Sequence, residues 1–304
     1  MNEGVLKTSG IVTDVKRFAV HDGPGIRTTF FLKGCFLRCR WCHNPEGLSS
    51  GPQLAYYAHK CRNCGGCAGV CPAGAHTFEG GVHRFDREKC RHCGSCELWC
   101  PTAALKLYGR SMTVEEALKT AREDASFYAE SGGGVTLSGG EPLFQPRFAR
   151  DLLEALKDSG IHTALDTSCF AEREVLDGVV QFTDMFLVDF KHPSPEEHKR
   201  LTGRSNDLIR ANLRHLSDIG ARIEIRIPLV PGCNDAPETL TEAGKFLGEL
   251  NIEAVRLLAY HPQAATKYAA LEMPYQLPDT APPEAEKLEG AAAILRGRGL
   301  KVLI

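Results

Sequence analysis

Residues 61–101 carry one cysteine spacing twice. Cys61-x2-Cys64-x2-Cys67-x3-Cys71-Pro72 is followed by Cys90-x2-Cys93-x2-Cys96-x3-Cys100-Pro101. At this spacing the first three thiolates of a run surround one cubane [4Fe–4S] cluster, and the fourth crosses to the other cluster. That rule puts Cys61, Cys64, Cys67 and Cys100 on one cluster, and Cys90, Cys93, Cys96 and Cys71 on a second. A pair of zinc knuckles is the competing reading, but histidines are missing from the expected positions. His59 and His92 read as surface residues or as neighbours of the ligands. The segment is an internal repeat of about thirty residues. It is too poor in apolar residues for a core of its own, so metal binding and folding are coupled in it. A small metal-dependent module, residues 55–108, is therefore expected to interrupt a larger domain built from 9–54 and 109–304.

A different run lies upstream. Cys35-x3-Cys39-x2-Cys42 holds only three thiols and directly follows the apolar strand Thr28–Leu32. Three thiolates can hold three irons of a cubane and leave the fourth open to a small chelating molecule, whereas electron-transfer cubanes use four. A zinc site would need a fourth ligand, and His43, adjacent to Cys42, offers poor geometry for it. A loop at a strand's C-terminal end is where α/β folds place chemistry.

From Ser111 onward the pattern is α/β. Thr113 and Glu116 form a capping box that opens a helix expected to run to about Tyr128. Strands are expected at 133–137, 163–166, 185–190, 222–227, 254–259 and 301–303, after a short strand at 10–15 and a first core strand ending at Gly34. Helices are expected near 146–159, 172–179, 195–202, 206–219, 236–249 and 283–297. Apolar strands alternating with helices make a parallel sheet covered by helices. Periodicity alone does not separate an open barrel from a doubly wound sheet.

The chain has 304 residues, with Lys+Arg 36 against Asp+Glu 38 and a formal charge of −2. That balance argues against nucleic-acid binding through charge. No apolar run approaches a membrane span, and the N-terminus has no signal-peptide core, so no membrane association is expected and the cytoplasm is the default. Eleven of the thirteen cysteines fall in the three runs. Clustered cysteines of this kind read as metal ligands in a reducing compartment rather than as disulfides. Oxygen sensitivity of such clusters points to anaerobic life.

Cys35–Cys42 with its flanks, Arg17–Arg27 (RFAVHDGPGIR) and Trp41–Glu46 (WCHNPE), resembles the radical S-adenosylmethionine superfamily, and within it the activating enzymes of glycyl radical enzymes. The resemblance spans nearly the whole chain. It implies an α/β fold: a partial (β/α)6 radical-SAM barrel with an inserted ferredoxin-like domain. It implies three [4Fe–4S] clusters, one site-differentiated and two auxiliary, with S-adenosyl-L-methionine as cofactor. One electron then cleaves the sulfonium, giving methionine and a 5′-deoxyadenosyl radical that takes a hydrogen from one backbone glycine of a partner enzyme. The implied partners are that glycyl radical enzyme and a flavodoxin or ferredoxin electron donor, and a monomer is expected. Insert-bearing relatives activate lyases and dehydratases of small molecules of the isethionate, glycerol, hydroxyproline or choline type.

The resemblance also marks residues. Cys35, Cys39, Cys42 and Lys191 are the catalytic candidates. Ser138-Gly139-Gly140-Glu141-Pro142 follows a strand, and its glycines allow close backbone approach to the cofactor amine; Glu141 orients this loop or meets the amine indirectly. Asp166 and Asp189 match residues near the methionyl group that help hold a monovalent cation, and Lys191 matches one close to the cofactor carboxylate. Asp189 and Lys191 alternate along a strand and so point the same way, which equally permits a mutual salt bridge. Asn44 and His261 match cofactor contacts. Arg226 matches a residue near cofactor and peptide, and a salt bridge to Glu224 is the alternative. Asp22 either caps a turn or helps meet the partner peptide. Three positions depart from the family pattern: Cys169 and Ala264 replace glycines, and Phe36 replaces a proline. Cys169 and Cys233 read as spare thiols. The rival functions are another radical maturase with auxiliary clusters, such as a sulfatase-maturing type, and a non-enzymatic ferredoxin-like electron carrier.

Overall fold

The computed structural model describes residues 3–304. One nine-stranded sheet organises them. In chain order its strands are β1 (Ser9–Ala19) and β2 (Arg27–Leu32), then, after the insert strands β3 (Gln53–Tyr56), β4 (His76–Glu79), β5 (Val82–Phe85) and β6 (Leu105–Tyr108), β7 (Arg110–Thr113), β8 (Gly134–Gly139), β9 (Thr163–Thr167), β10 (Met185–Asp189), β11 (Ile223–Leu229), β12 (Ala254–Ala259) and β13 (Val302–Leu303). The spatial order is β13-β12-β11-β10-β9-β8-β2-β1-β7. From β2 to β13 every neighbour is parallel; β1 pairs antiparallel with β2 and β7. Helices follow β8, β9, β10, β11 and β12.

Strand alternation sets the two faces. On β11, Ile223, Ile225 and Ile227 join the main apolar core, while Glu224 and Arg226 point to the other side. On β10, Phe186 and Val188 join that core, and Leu187 instead packs with Ala164 and Met185 in a small separate cluster. Residues at alternate positions share a face, so Asp166 shares a face with Ala164, and Asp189 with Leu187. The inner face is thus apolar lower down and charged at the C-terminal rim.

The insert leaves the sheet after β2 and returns through β7. Its stem is the antiparallel pair β3–β6, with Gln53 opposite Tyr108, and β4–β5 form a second hairpin. The cysteines help build its apolar cluster: Leu54, Cys96, Leu105 and Leu107 pack with Cys67, Cys90 and Cys100. The insert also docks on the main domain. Arg87 donates to Ala270 O at 2.6 Å, and Tyr57 and Tyr108 pack with Ala270 and Leu271.

Two expectations need correction. β1 is longer than the strand read at 10–15, with two irregularities in its register against β2. The helix opened by Thr113 stops at Arg122, and a second, Ala125–Ser131, follows. Asp124 breaks it: its carboxylate is buried and accepts from Thr28 Oγ1 at 2.7 Å and Arg17 Nε at 2.9 Å. Those contacts satisfy the acid better than a helical position would. The Thr113–Glu116 capping box is present, and no helix among the described residues is long and apolar enough to cross a membrane.

Candidate active site

Three tethers shape the loop after β2. Gly34, at φ 98, donates its N–H to Gly47 O at 2.8 Å and closes the loop at its base. Arg38 N and Arg40 N donate to Thr202 O and Leu201 O, pinning the loop to the helix Pro195–Thr202. Trp41 is buried with Leu201, Val230, Tyr260 and Leu277. Residues between the cysteines are thereby anchored, and Cys35, Cys39 and Cys42 all line one cavity of about 530 Å³. Burial pushes the Cys35 and Cys42 thiols up to about 12, and Cys39 upward too. Three thiols gathered in so dry a place stay protonated by themselves; a bound metal deprotonates them outright.

The same cavity collects almost every residue singled out in the sequence. Asp22, Asn44, Gly139, Gly140, Asp166, Asp189, Lys191, Arg226 and His261 all line it. Parallel register explains part of this, because Asp189 stands opposite Arg226 and Phe31 opposite Ser138.

Glu141 is the exception: it lies fully buried beneath the lining. Its carboxylate accepts from Leu143 N at 3.1 Å and Thr167 Oγ1 at 2.7 Å on one oxygen, and from Ser168 N at 2.9 Å and Ser168 Oγ at 2.6 Å on the other. It thus ties the loop after β8 to the loop after β9. Burial pushes this carboxyl upward against the pull of those donors. The two glycines before it serve close packing against protein backbone. A Cβ on Gly139 would meet Leu32 N at 2.3 Å, and one on Gly140 would meet Gly34 O and Gly47 O at 2.4 Å.

Charge inside the cavity is arranged in pairs. Lys191 Nζ donates to Asp189 Oδ2 at 2.8 Å, so the mutual salt bridge is present, and it is buried at the lysine end. Burial works against the Lys191 charge, but Asp189 holds the ammonium protonated. Asp166 accepts from Ser138 Oγ at 2.6 Å and lies 3.6 Å from Arg226 Nη1. Burial raises its carboxyl to about 6; Arg226 opposes the shift and Asp189 adds to it. Glu224 prefers Arg256, at 2.8 and 3.0 Å, and lies 3.6 Å from Arg226. Arg226 instead donates to His21 O at 3.0 Å, bringing the Asp22 turn to the cavity rim. Asp22 itself accepts from Thr29 Oγ1 at 2.8 Å.

The rim on the β12 side holds contacts that sequence reasoning missed. His43 and His261 stack with centroids 4.0 Å apart, and burial with His261 close by lowers the His43 imidazole to about 4. Its Nε2 is buried without a hydrogen-bond partner among the described residues. Lys267 Nζ reaches Asn44 Oδ1 at 3.2 Å and Glu46 Oε1 at 2.5 Å, fixing the segment after Cys42 to the helix Ala265–Ala270. No local pattern marks Lys267, since its partners lie far back in the chain. Thr167, Ser168 and Tyr260 also line the cavity; their positions beside Asp166 and His261 were the available signal. Cys169 is buried and Cys233 half-buried, and neither lines the cavity.

In the insert, Cys71 of the first run lines a small cavity together with Cys90, Cys93 and Cys96 of the second. Its wall is completed by Leu54 and His76 among others. His59 and His92 are exposed.

The donor set, three convergent thiols beside paired charges and an unpartnered buried imidazole, fits an iron–sulfur centre with a small polar cofactor. Comparison with known proteins agrees. The model of the radical SAM superfamily matches residues 84–243, and that of the 4Fe-4S dicluster domain matches residues 60–104. The benzylsuccinate synthase activating enzyme of Thauera aromatica is 40% identical, covering 97% of this chain and 92% of its own. The trans-4-hydroxy-L-proline dehydratase activating enzyme of Clostridioides difficile is 43% identical, covering 92% and 93%. In fold, a radical SAM methyltransferase from Sphaerobacter thermophilus aligns over 70% of this chain and 61% of that one, with TM-score 0.50 and 18% identity. The chain therefore belongs to the activating enzymes of glycyl radical enzymes, in the branch of the radical SAM superfamily that carries a ferredoxin-like dicluster insert.

Proposed function

We propose that Cys35, Cys39 and Cys42 hold a site-differentiated [4Fe–4S] cluster on which S-adenosylmethionine sits, and that the open cavity mouth admits the glycine loop of the partner. The convergence of three thiols and the Gly139, Asp166, Asp189, Lys191 and Arg226 positions on one cavity carries this reading. When bound, cluster and cofactor supply one-electron cleavage of the sulfonium and a carbon radical able to take hydrogen from a glycine Cα. The chain's own residues bind, orient and exclude water. Lys191, held charged by Asp189, attracts the cofactor carboxylate. Carbonyls of the 138–140 loop accept from its amine, with Glu141 fixing that loop from behind. Asn44 and His261 would contact the cofactor, and Asp166 with Asp189 would lie near its methionyl group and could hold a monovalent cation there. Arg226 and the Asp22 turn receive the peptide.

The insert, residues 55–108, is assigned two auxiliary cubanes. Cys71 beside Cys90, Cys93 and Cys96 suits the crossed pairing, with Cys61, Cys64, Cys67 and Cys100 as the other set. Loaded with them, the insert would supply a path for electrons from a flavodoxin- or ferredoxin-type donor towards Cys35, Cys39 and Cys42. Work in the cytoplasm follows from the need to keep eleven ligand thiols reduced. The partner is a glycyl radical lyase or dehydratase of small molecules, the class that the relatives' names indicate. A neighbouring gene for a large protein with a C-terminal glycine loop would identify it.

Anaerobic reconstitution tests the assignment. About twelve irons per chain are expected from three cubanes. Replacing Cys35, Cys39 and Cys42 together by Ala should remove about four of them and abolish cofactor cleavage. Cleavage retained in that variant refutes the site assignment.

A further inference from the structure

The two halves of the insert superpose by sequence, and they differ in what faces the sulfurs. Advancing each position by the step from Cys61 to Cys90 sets β3 against β5 and β4 against β6. Backbone donors repeat under this step. Asn63 N meets Cys61 Sγ at 3.4 Å as His92 N meets Cys90 Sγ at 3.4 Å. Ala75 N meets Cys71 Sγ at 3.3 Å as Ala104 N meets Cys100 Sγ at 3.3 Å. Each ligand set also has one hydroxyl near a cysteine, Ser95 by Cys93 and Thr102 by Cys100, both from the second half.

Other side chains break the symmetry. Leu54 of β3 matches His83 of β5, Tyr56 matches Phe85, and His76 of β4 matches Leu105 of β6. Leu54 lines the cavity of Cys71, Cys90, Cys93 and Cys96, and with Leu105 it packs on Cys96. His83 instead faces the other set. Its Nδ1 is 3.7 Å from Cys61 Sγ, and its Nε2 is 3.6 Å from Cys67 Sγ and 2.9 Å from His76 Nδ1. The Tyr56 ring packs edge-on against the His83 ring, with centroids 4.5 Å apart. Both histidines are buried.

Ring tautomers follow from these distances. The short contact between imidazoles needs one donor and one acceptor. If His83 Nε2–H donated to His76, the bare Nδ1 lone pair would face the anionic Cys61 sulfur. With His76 Nδ1–H donating to His83 Nε2, the lone pair of that nitrogen, which also lies 3.6 Å from Cys67 Sγ, is occupied by the short bond, and His83 Nδ1–H points at Cys61. Asn63 Oδ1 accepts from the backbone N–H of His83 at 3.0 Å and holds this stretch of β5 beside Cys61.

We propose that His83, set by His76 and packed by Tyr56, is a potential-tuning residue that makes the Cys61/Cys64/Cys67/Cys100 cluster the easier of the two auxiliary clusters to reduce. Donors to cluster sulfur stabilise the more negative, reduced state and raise the potential. The other cluster meets Leu54, Leu105 and Phe85 in the matching places; His76 also lines its cavity, but the His76 Nδ1–H is taken up by His83. An arriving electron therefore rests first on the histidine-side cluster. This inference relies on the two-cubane reading of the insert.

The test is an anaerobic redox titration of the full-length, iron-loaded chain, followed by electron paramagnetic resonance. Replacing Cys35, Cys39 and Cys42 by Ala leaves only the auxiliary centres to respond. Two separate midpoints are expected. His83→Leu should lower the upper midpoint by at least tenfold in the reduction equilibrium, about 59 mV for one electron, and leave the lower one in place. Leu54→His should raise the lower midpoint by a similar step. Midpoints unchanged in these variants, with about eight irons retained, overturn the inference. If His83→Leu loses a cluster, Leu54→His alone decides. A parent chain that binds clearly fewer than about eight irons overturns the two-cubane reading instead, so the two failures are distinguishable.

Discussion

Glu141 is the residue whose removal should reach furthest. It has no place on the cavity wall, yet it accepts four hydrogen bonds from two loops that do line it. In Glu141→Ala the Thr167 and Ser168 hydroxyls can rotate to other acceptors. The N–H groups of Leu143 and Ser168 cannot, and both lie in a buried place. Leaving two buried backbone donors unsatisfied costs about 2–6 kcal/mol, against about 5–15 kcal/mol of total stability for a typical domain. Glu141→Gln keeps the shape but offers one acceptor oxygen in place of two, so roughly half that loss is expected. The assay is a urea midpoint at matched iron content, with hydrogen exchange read at the Leu143 and Ser168 amides. Both amides should lose protection, and cofactor affinity should fall as the 138–141 loop loosens. A wild-type midpoint together with wild-type protection in Glu141→Ala would refute the reasoning.

Arg226→Ala should weaken use of a partner-derived peptide more than cofactor binding, because Arg226 carries the Asp22 turn through His21 O; equal losses in the two constants would remove its peptide role. Asp124 is held below the usual carboxylate range, chiefly by the Arg17 hydrogen bond and despite its burial. Its stabilising effect is thus complete well above the ordinary value of 3.8 and is lost as the pH falls through the depressed folded value. Asp124→Asn should unfold more readily than wild type at neutral pH and match it in strong acid, as read by parallel denaturation series; a gap that persists in acid would contradict this.

Local rules accounted for much of the molecule. Alternating Ile and charge on β11, the Thr113–Glu116 box and the cysteine spacings each depend on neighbours a few residues away, so they stand out in the chain. Strand-end placement was legible for the same reason, and it brought Asp166 and Asp189 to one rim. Contacts that depend on distant partners were hidden. Asp124 ends a helix because Arg17 and Thr28 come to it from β1 and β2. Gly139 and Gly140 are needed against Leu32, Gly34 and Gly47, which no local spacing reveals. Lys267 meets Asn44 and Glu46 only after the barrel has formed. The His43–His261 stack likewise joins residues from opposite ends of the main domain.

The central claim is that the radical formed in this cavity takes its hydrogen from a backbone glycine. Hydrogen transfer needs the Cα within a few ångströms of the radical carbon. A glycine buried in a folded partner cannot reach that place, so a short segment must enter the mouth beside Asp22, His43 and Arg226. The direct measurement uses a peptide carrying the partner's glycine loop, deuterated at the glycine Cα, with reduced enzyme and S-adenosylmethionine. Deuterium should appear in the 5′-deoxyadenosine formed, and the peptide should stimulate its formation. Deuterium that instead arrives only from a labelled free small molecule would mean that this protein acts directly on a metabolite, contrary to the account.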